Sequence, residues 1–288
     1  MLAVLLGLLI QCTPELLNYY VGERLLAGII KVMETNLPIE KLLSMMHQAD
    51  QAIMEIYADD NPQVEIKSDN SPLTLADTRS HDILTKNLQA LFPDIPIVSE
   101  EGDEISNSKL VQEKLFWLID PLDGTKEFLA KNGEFTVCLA LVEYGKPIFG
   151  MISAPAIGVT YYGNSASGSY KKVVGQTVQR IYVSDRPLGV VLGSRSSNNQ
   201  ATLDYIAEHF PNDKIQEVGS QLKLTYIAEG RADAYPRLGS TMRLWDLAAG
   251  QAILEGAGGQ VTRPDGSAID YCLSSLLIGD FVARARGI

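Results

Sequence analysis

The chain has 288 residues, 46% of them hydrophobic, enough for two modest domains or one large layered one with a real core. Its formal charge of −11 excludes a general binder of nucleic-acid polymers, which needs a basic surface, but not a nucleotide recruited by a few local cations. Three widely separated cysteines, Cys12, Cys138 and Cys272, form no CxxC, so neither a disulfide framework nor a zinc site is indicated, and a reducing, cytoplasmic compartment fits best.

Met1 to Ile10 is almost wholly apolar, yet a membrane span needs about 20 such residues. No positive charge precedes Arg24, as a secretory leader would require. Residues 1–37 read as an apolar extension, with Met33 an alternative start. The competing reading is a membrane-associating helix, peripheral on the inner face of the plasma membrane. Leu37 to Tyr57 is helical, its apolar residues recurring at spacings of three and four. Val64–Lys67 alternates like a strand and runs into turn-rich Ser68-Asp69-Asn70-Ser71-Pro72. Thr74 to Leu91 is a second amphipathic helix, and Ile95 to Val98 a short strand. The apolar run 116–119 reads as a buried strand, followed by strands at 136–144, 147–153 and 159–163.

A second unit begins near Ile181, dividing the chain into an N-terminal domain over 38–178 and a C-terminal domain over 179–288. Its pattern is strand 189–193, helix 201–209, strand 214–218, helix 220–229 and strand 232–235. A helix from about Trp245 to Gly256 follows, then strand candidates at 259–262 and 276–278. Strands alternating with helices in both halves point to layered α/β or α+β architecture.

Asp120-Pro121-Leu122-Asp123-Gly124-Thr125 places two carboxylates three residues apart at the end of a buried strand. Packed carboxylates are costly, so a raised pKa or a cation between them is expected. Magnesium suits all-oxygen ligation and bridges carboxylates to phosphate. Gly124 allows close approach, and Thr125 offers a hydroxyl and an amide at a helix start, where phosphate binds well. The alternative is a turn capped by Asp123. Glu100-Glu101 ends another apolar strand. Because strand side chains alternate, Glu100 is the choice for the shared site and Glu101 supports it from behind; a solvated acidic turn is the alternative. Asp246 falls in the first turn of an apolar helix and Asp77 about one turn into its own, where either acid could simply offset the helix dipole. Ala248, Ala249, Gly250 and Ala252 would let the later helix pack closely enough to hold Asp246 against another strand end. His47, His81 and His209 lie in no motif and are expected on helix surfaces.

Together these words resemble the magnesium-dependent, lithium-sensitive phosphatase superfamily that includes inositol monophosphatase, and within it the CysQ-type 3'(2'),5'-bisphosphate nucleotidases. The residues that carry the resemblance are 67–77, 99–101, 120–128, 132–137 and 245–250, within a span of roughly 38 to 282. Lys126-Glu127-Phe128 looks like the nucleotidase branch.

The resemblance implies an α+β fold of stacked layers, an α-β-α-β-α sandwich with metals between its halves. It implies Glu100, Asp120, Asp123, Asp246 and the Leu122 carbonyl as ligands of two or three magnesium ions. Asp77 and Thr125 would hold the attacking water, and the Gly124 and Thr125 amides would meet phosphate. Ser220, Lys223 and Arg237 match positions that contact the nucleotide. Ser197 replaces the histidine of the usual Ser-Arg-Ser-His word, which puts one nucleotide contact in question. The implied reaction is hydrolysis of the 3'-phosphate of adenosine 3',5'-bisphosphate to AMP in sulfur metabolism, with the phosphosulfate form as a further substrate. The rival readings are an inositol monophosphatase, a broad sugar phosphatase, or a silent metal-dependent nucleotide sensor. The oligomeric state is not indicated.

Overall fold

The computed structural model describes residues 37–59, 64–66, 72–239, 242–272 and 275–285. Nearly all of the apolar extension, the Met33 start and residues 67–71 of the resemblance lie outside them. Ile39–Ile288 forms one compact unit, distinct from Met1–Pro38.

Helix α1 (Ile39–Tyr57) buries Leu42, Met46, Ala49 and Ile53, the face its spacing predicts. β1 (Val64–Ile66) and β2 (Pro72–Thr74) pair antiparallel. A reciprocal cap starts α2 (Leu75–Leu91): Thr74 Oγ1 accepts from Ala76 N at 3.2 Å, and Asp77 Oδ2 accepts from Thr74 N at 2.8 Å. Then come β3 (Ile97–Ser99), α3 (Glu104–Leu110), β4 (Leu115–Asp123), α4 (Thr125–Leu129), β5 (Thr136–Glu143), β6 (Lys146–Ala154), β7 (Val159–Asn164), β8 (Gly168–Val173) and β9 (Gln179–Ile181). β3 to β9 form one sheet in sequence order, parallel between β3 and β4 and antiparallel thereafter.

The chain continues through β10 (Val190–Ser194), α5 (Gln200–His209), β11 (Lys214–Val218), α6 (Leu222–Ala228), β12 (Ala234–Arg237), a 3-10 turn (Leu244–Asp246), α7 (Ala248–Gly256), β13 (Gln260–Thr262) and β14 (Phe281–Arg284). The second sheet has the order β11-β10-β12-β14-β13. β10 is parallel to β11 and β12; β14 is antiparallel to β12 and β13.

Helices α1 and α2 cover one face of the large sheet, α6 and α7 lie between the sheets, and α5 covers the small one. This is an α-β-α-β-α sandwich of the α+β class. Strand alternation sends Phe116 and Leu118 into the core shared with Ile253 and Leu254 of α7, while Trp117 meets Phe92 beyond α2, ring centroids 5.1 Å apart. Each such buried aliphatic side chain contributes about 1.5–3 kcal/mol. The small-residue surface of α7 lies as close to the sheet as its sequence suggests. A Cβ on Gly150 of β6 would stand 2.1 Å from the Ala249 carbonyl oxygen.

Some elements differ from the sequence reading. β8 and β9 extend the large sheet where no strands are expected. Residues 276–278 form no strand: Leu276 and Ile278 are buried and Leu277 exposed, but their partner is the irregular segment 242–244, so only an Arg243–Leu277 bridge forms. The last ladder is made by Phe281–Arg284 instead. The helix expected from Trp245 starts at Ala248, after the 3-10 turn.

Candidate active site

β4 does not end at its first acid. It runs on through Asp120-Pro121-Leu122-Asp123, with an irregularity in its pairing to β5 between Asp120 and Asp123. Pro121 cannot donate to a ladder, and such a bulge is where a strand accommodates proline and re-aims its side chains. The Pro121 carbonyl accepts from Ser80 Oγ at 2.8 Å, and Leu122 N donates to Asp120 Oδ1 at 3.1 Å. Gly124 then takes a left-handed φ of 93°, which turns the chain directly into α4.

This local geometry brings three elements together. Carboxylate oxygens of Asp120, Asp123 and Asp246 lie within 4.8 Å of one another. Asp246 arrives on the 3-10 turn ahead of α7, with Oδ2 accepting from Arg243 N at 2.8 Å. Glu100 follows β3 directly and lies near enough to Asp120 for its charge to raise that carboxyl's pKa. Its own backbone N–H donates to the Ile119 carbonyl at 3.1 Å, so β3 and β4 hold the two acids side by side. Asp123 Oδ2 accepts from Thr136 Oγ1 at 3.2 Å and from Gln221 N at 2.5 Å.

The electrostatics reflect this crowding. Burial, with the charges of Glu100, Asp123 and Asp246, holds Asp120 well above the carboxylate range. Asp246 is raised in the same way, by desolvation and by Asp123 and Glu100. Asp123 is pushed up to about 6 by desolvation, against the pull of Lys223 and the Gln221 N–H. Asp120 is 1% exposed, and its Oδ2 is buried with no hydrogen-bond partner. A buried carboxylate with an orphaned oxygen, in a cluster with two more carboxylates, fits a hard divalent cation with oxygen ligands. The residues present therefore suit the metal that the sequence pattern implies.

Beside the acids, Thr125 Oγ1 lies 3.5 Å from Asp77 Oδ1 and 3.4 Å from the Leu122 carbonyl. Gly124, Thr125, Ser220, Lys223 and Arg237 line a cleft of about 220 Å³ that also touches Asp123 and Asp246. Lys223 is buried. Its Nζ donates to the carbonyls of Val218 (3.1 Å) and Ser220 (2.6 Å), and burial lowers its pKa to about 8. Arg237 donates through Nη1 to the Ser197 carbonyl, and its buried Nε has no partner.

Several contacts are not apparent in the sequence. Glu134 accepts from Arg195 Nε (2.6 Å) and Nη2 (2.8 Å) and from Gly219 N (2.7 Å), joining the loops of the two sheets beside the cleft. Glu127, buried in α4, accepts from Ser196 Oγ. His81 is not simply on a helix surface, as His47 and His209 are. It is partly buried, its Nδ1 lies 2.8 Å from Ser99 Oγ, and burial lowers its pKa. Asn107 brackets the same Ser99, its Nδ2 donating to the Ser99 carbonyl (2.6 Å) and its Oδ1 accepting from Ser99 N (3.3 Å), fixing the residue before Glu100. Glu101 N donates to Ser99 Oγ at 3.3 Å. Among the described residues, no helix is long and apolar enough to cross a membrane.

Comparison with known proteins agrees with this geometry. A 3'(2'),5'-bisphosphate nucleotidase CysQ of Salmonella typhimurium is 38% identical over 234 residues, covering 81% of this chain and 93% of that protein. The CysQ of Buchnera aphidicola is 42% identical over 249 residues, covering 82% and 88%. Among solved structures, CysQ from Bacteroides thetaiotaomicron superposes with a TM-score of 0.75 at 32% identity, over 86% of this chain and 97% of that one. An IMPase of Thermotoga maritima gives a TM-score of 0.70 at 25% identity, over 85% and 91%. The profile of the inositol monophosphatase family matches residues 39–286, which takes in every acid of the cluster, and with the layered fold it shows that this chain belongs to that metal-dependent family.

Proposed function

We propose that the chain is a 3'(2'),5'-bisphosphate nucleotidase that hydrolyses the 3'-phosphate of adenosine 3',5'-bisphosphate to give AMP and phosphate. The observation that carries this reading is that two acids of the cluster, Asp123 and Asp246, line one cleft together with Lys223 and Arg237. Acids that attract a cation suit the scissile phosphate, and an arginine in the same cleft suits a second one. The sequence likeness to CysQ proteins supports the same substrate and a place in sulfur assimilation. The phosphosulfate form of the nucleotide carries the same 3'-phosphate and would be attacked in the same way.

Glu100, Asp120, Asp123, Asp246 and the Leu122 carbonyl would hold magnesium ions, two or three in the working enzyme. When bound, such ions offset the carboxylate charge, polarise the phosphoryl group and make water more acidic. The chain's own residues do the rest. Thr125 Oγ1, by donating to Asp77 Oδ1, turns its lone pairs to an entering water. As that water's oxygen attacks phosphorus, its proton passes to Thr125 while the threonine proton passes to Asp77. The phosphorus–3'-oxygen bond breaks, and the leaving oxygen takes up a proton from solvent. Asp77 stays in place because its other oxygen is held by Thr74 N (2.8 Å) and Thr74 Oγ1 (2.6 Å).

The amides of Gly124 and Thr125 meet the scissile phosphate, Ser220 borders it, and the guanidinium of Arg237, which lines the same cleft, receives the 5'-phosphate. Lys223, bonded to two carbonyls, acts mainly as a fixed positive charge behind Ser220. Cys138 and Cys272 are free thiols, which supports a reducing, cytoplasmic setting. The decisive experiment compares phosphate release from adenosine 3',5'-bisphosphate and inositol 1-phosphate with magnesium, chelator and lithium. Preference for the nucleotide, loss with chelator and inhibition by lithium are expected. Equal turnover of both substrates would move the assignment to a broad phosphatase.

A further inference from the structure

We infer that Gln221 is a positioning residue: its backbone amide and side chain together hold Asp123 and Asp246 at a fixed separation and so set how tightly the site grips a divalent cation. The inference rests on the proposal that this cluster binds metal. Gln221 is 2% exposed and sits immediately before α6, after Ser220, whose left-handed φ of 49° turns the chain toward the acids.

Three bonds carry the argument. Gln221 N donates to Asp123 Oδ2 at 2.5 Å. Its Nε2 donates to the Trp245 carbonyl at 2.8 Å, and its Oε1 accepts from Gly250 N at 2.9 Å. One residue thus holds the carboxylate at the end of β4 and the backbone on both sides of Asp246. Arg243 N fixes Asp246 only within its own turn. Gln221 ties that turn to the other element of the cluster.

The chemistry calls for an amide. Gly250 lies in the first turn of α7, where N–H groups lack an intrahelical acceptor. Trp245 lies in the 3-10 turn, which breaks before α7 begins. A side chain that answers both must donate through one atom and accept through its neighbour, which a primary amide does and a carboxylate or ammonium does not. Close packing leaves little slack elsewhere. A Cβ on Gly250 would lie 2.2 Å from Leu224 Cδ1, so α6 and α7 are already in contact. With the helices pressed together and the amide bridging their starts, the separation of the two aspartates is set by Gln221.

The test uses the full chain with Gln221→Met, which keeps length and loses both hydrogen-bonding functions. Manganese binding is followed by the paramagnetic signal of the free ion, at a temperature where circular dichroism shows the variant fully folded. Support is a metal dissociation constant raised about tenfold, within the 10–100-fold usual for residues that orient ligands. The magnesium activation constant should rise in parallel. A lowered Tm with parental metal affinity would overturn the inference, since the bonds would then only pin a helix. If Gln221→Met does not fold, Gln221→Asn is read the same way, because its shorter amide cannot span both partners. Asp123→Asn separates the two ideas. If it binds manganese like the parent, the metal reading itself falls; if it loses the ion while Gln221→Met keeps it, only the positioning role falls.

Discussion

Thr125 and Asp77 are 48 residues apart in sequence, yet the threonine Oγ1 lies 3.5 Å from the aspartate Oδ1, beside the acid cluster. Two helix starts make this meeting. Asp77 is the third residue of α2, held by the Thr74 cap, and Thr125 is the first of α4, aimed by the left-handed Gly124. If this pair relays a proton, Thr125→Val should lower kcat by about 10²–10³-fold with little change in the magnesium activation constant. Asp77→Asn should lose a similar factor. The two changes together should cost hardly more than either alone, because they interrupt one relay. Multiplicative losses in the double variant would refute the relay.

The acid cluster makes a pH prediction for the metal-free protein. Asp123 is held at about 6, and Asp120 and Asp246 lie above the ordinary carboxylate range, chiefly through desolvation. The folded state therefore keeps protons that the unfolded chain has released above about pH 4. This contribution to stability is fully present at low pH and is lost as pH rises through 6 and beyond. With chelator, Tm should fall between pH 5 and pH 8; with saturating magnesium the fall should shrink, because a cation replaces the protons. Identical profiles with chelator and with magnesium would show that no cation enters the cluster.

Much of this cluster is legible because its pieces are short local words. Asp120 to Thr125 and Trp245 to Gly250 combine acids with small residues at element ends, and each acid's chemistry is visible without its partner. Bonds between the sheets have no such signature. Gln221 lies between Ser220 and Lys223, both of which the resemblance singles out, but its bonds to Trp245 and Gly250 depend on how α6 meets α7. Glu134 and Arg195 each lie in a segment that the resemblance covers, but they are 61 residues apart and nothing in either segment says that they meet. β8, with two adjacent lysines, lacks a clean apolar face because it lies toward the β9 end of the sheet. Residues 276–278 alternate like a strand, yet they lack a partner segment long enough to form a ladder.

Close packing under Asp246 can be probed at Gly150. A Cβ there would stand 2.1 Å from the Ala249 carbonyl oxygen and 2.9 Å from its carbon, both backbone atoms of α7. Backbone has no rotamer by which to escape, so Gly150→Ala must lift the helix from β6. Overpacking of this kind costs about 1–3 kcal/mol. Because α7 follows Asp246 directly, the same shift should weaken magnesium activation. Calorimetry and a magnesium titration on one preparation check both effects. Lower stability with unchanged activation would mean that the 3-10 turn is anchored independently of the helix.

Asp50 provides a pH test away from the acid cluster. Its carboxyl lies between α1 and β6, accepts from Ser153 Oγ, and borders a second cavity of about 420 Å³ that also touches His47, Glu40 and Lys172. Burial pushes its pKa to about 7, outweighing the Ser153 bond, which pulls the other way. Folding therefore favours the protonated acid. Its contribution is complete below about pH 4 and is lost as pH rises through 7. Asp50→Asn mimics the protonated form at every pH. In saturating magnesium, which quiets the acid cluster, the variant should match the parent near pH 4. It should exceed the parent's stability by up to about 4 kcal/mol at pH 8, at roughly 1.4 kcal/mol per unit of pKa difference. Asp50 does not line the cleft that holds Thr125, so kcat should be unchanged. Denaturant unfolding at both pH values decides the matter: a gain of the same size at each would mean that Asp50 is ionised throughout and that the amide simply packs better.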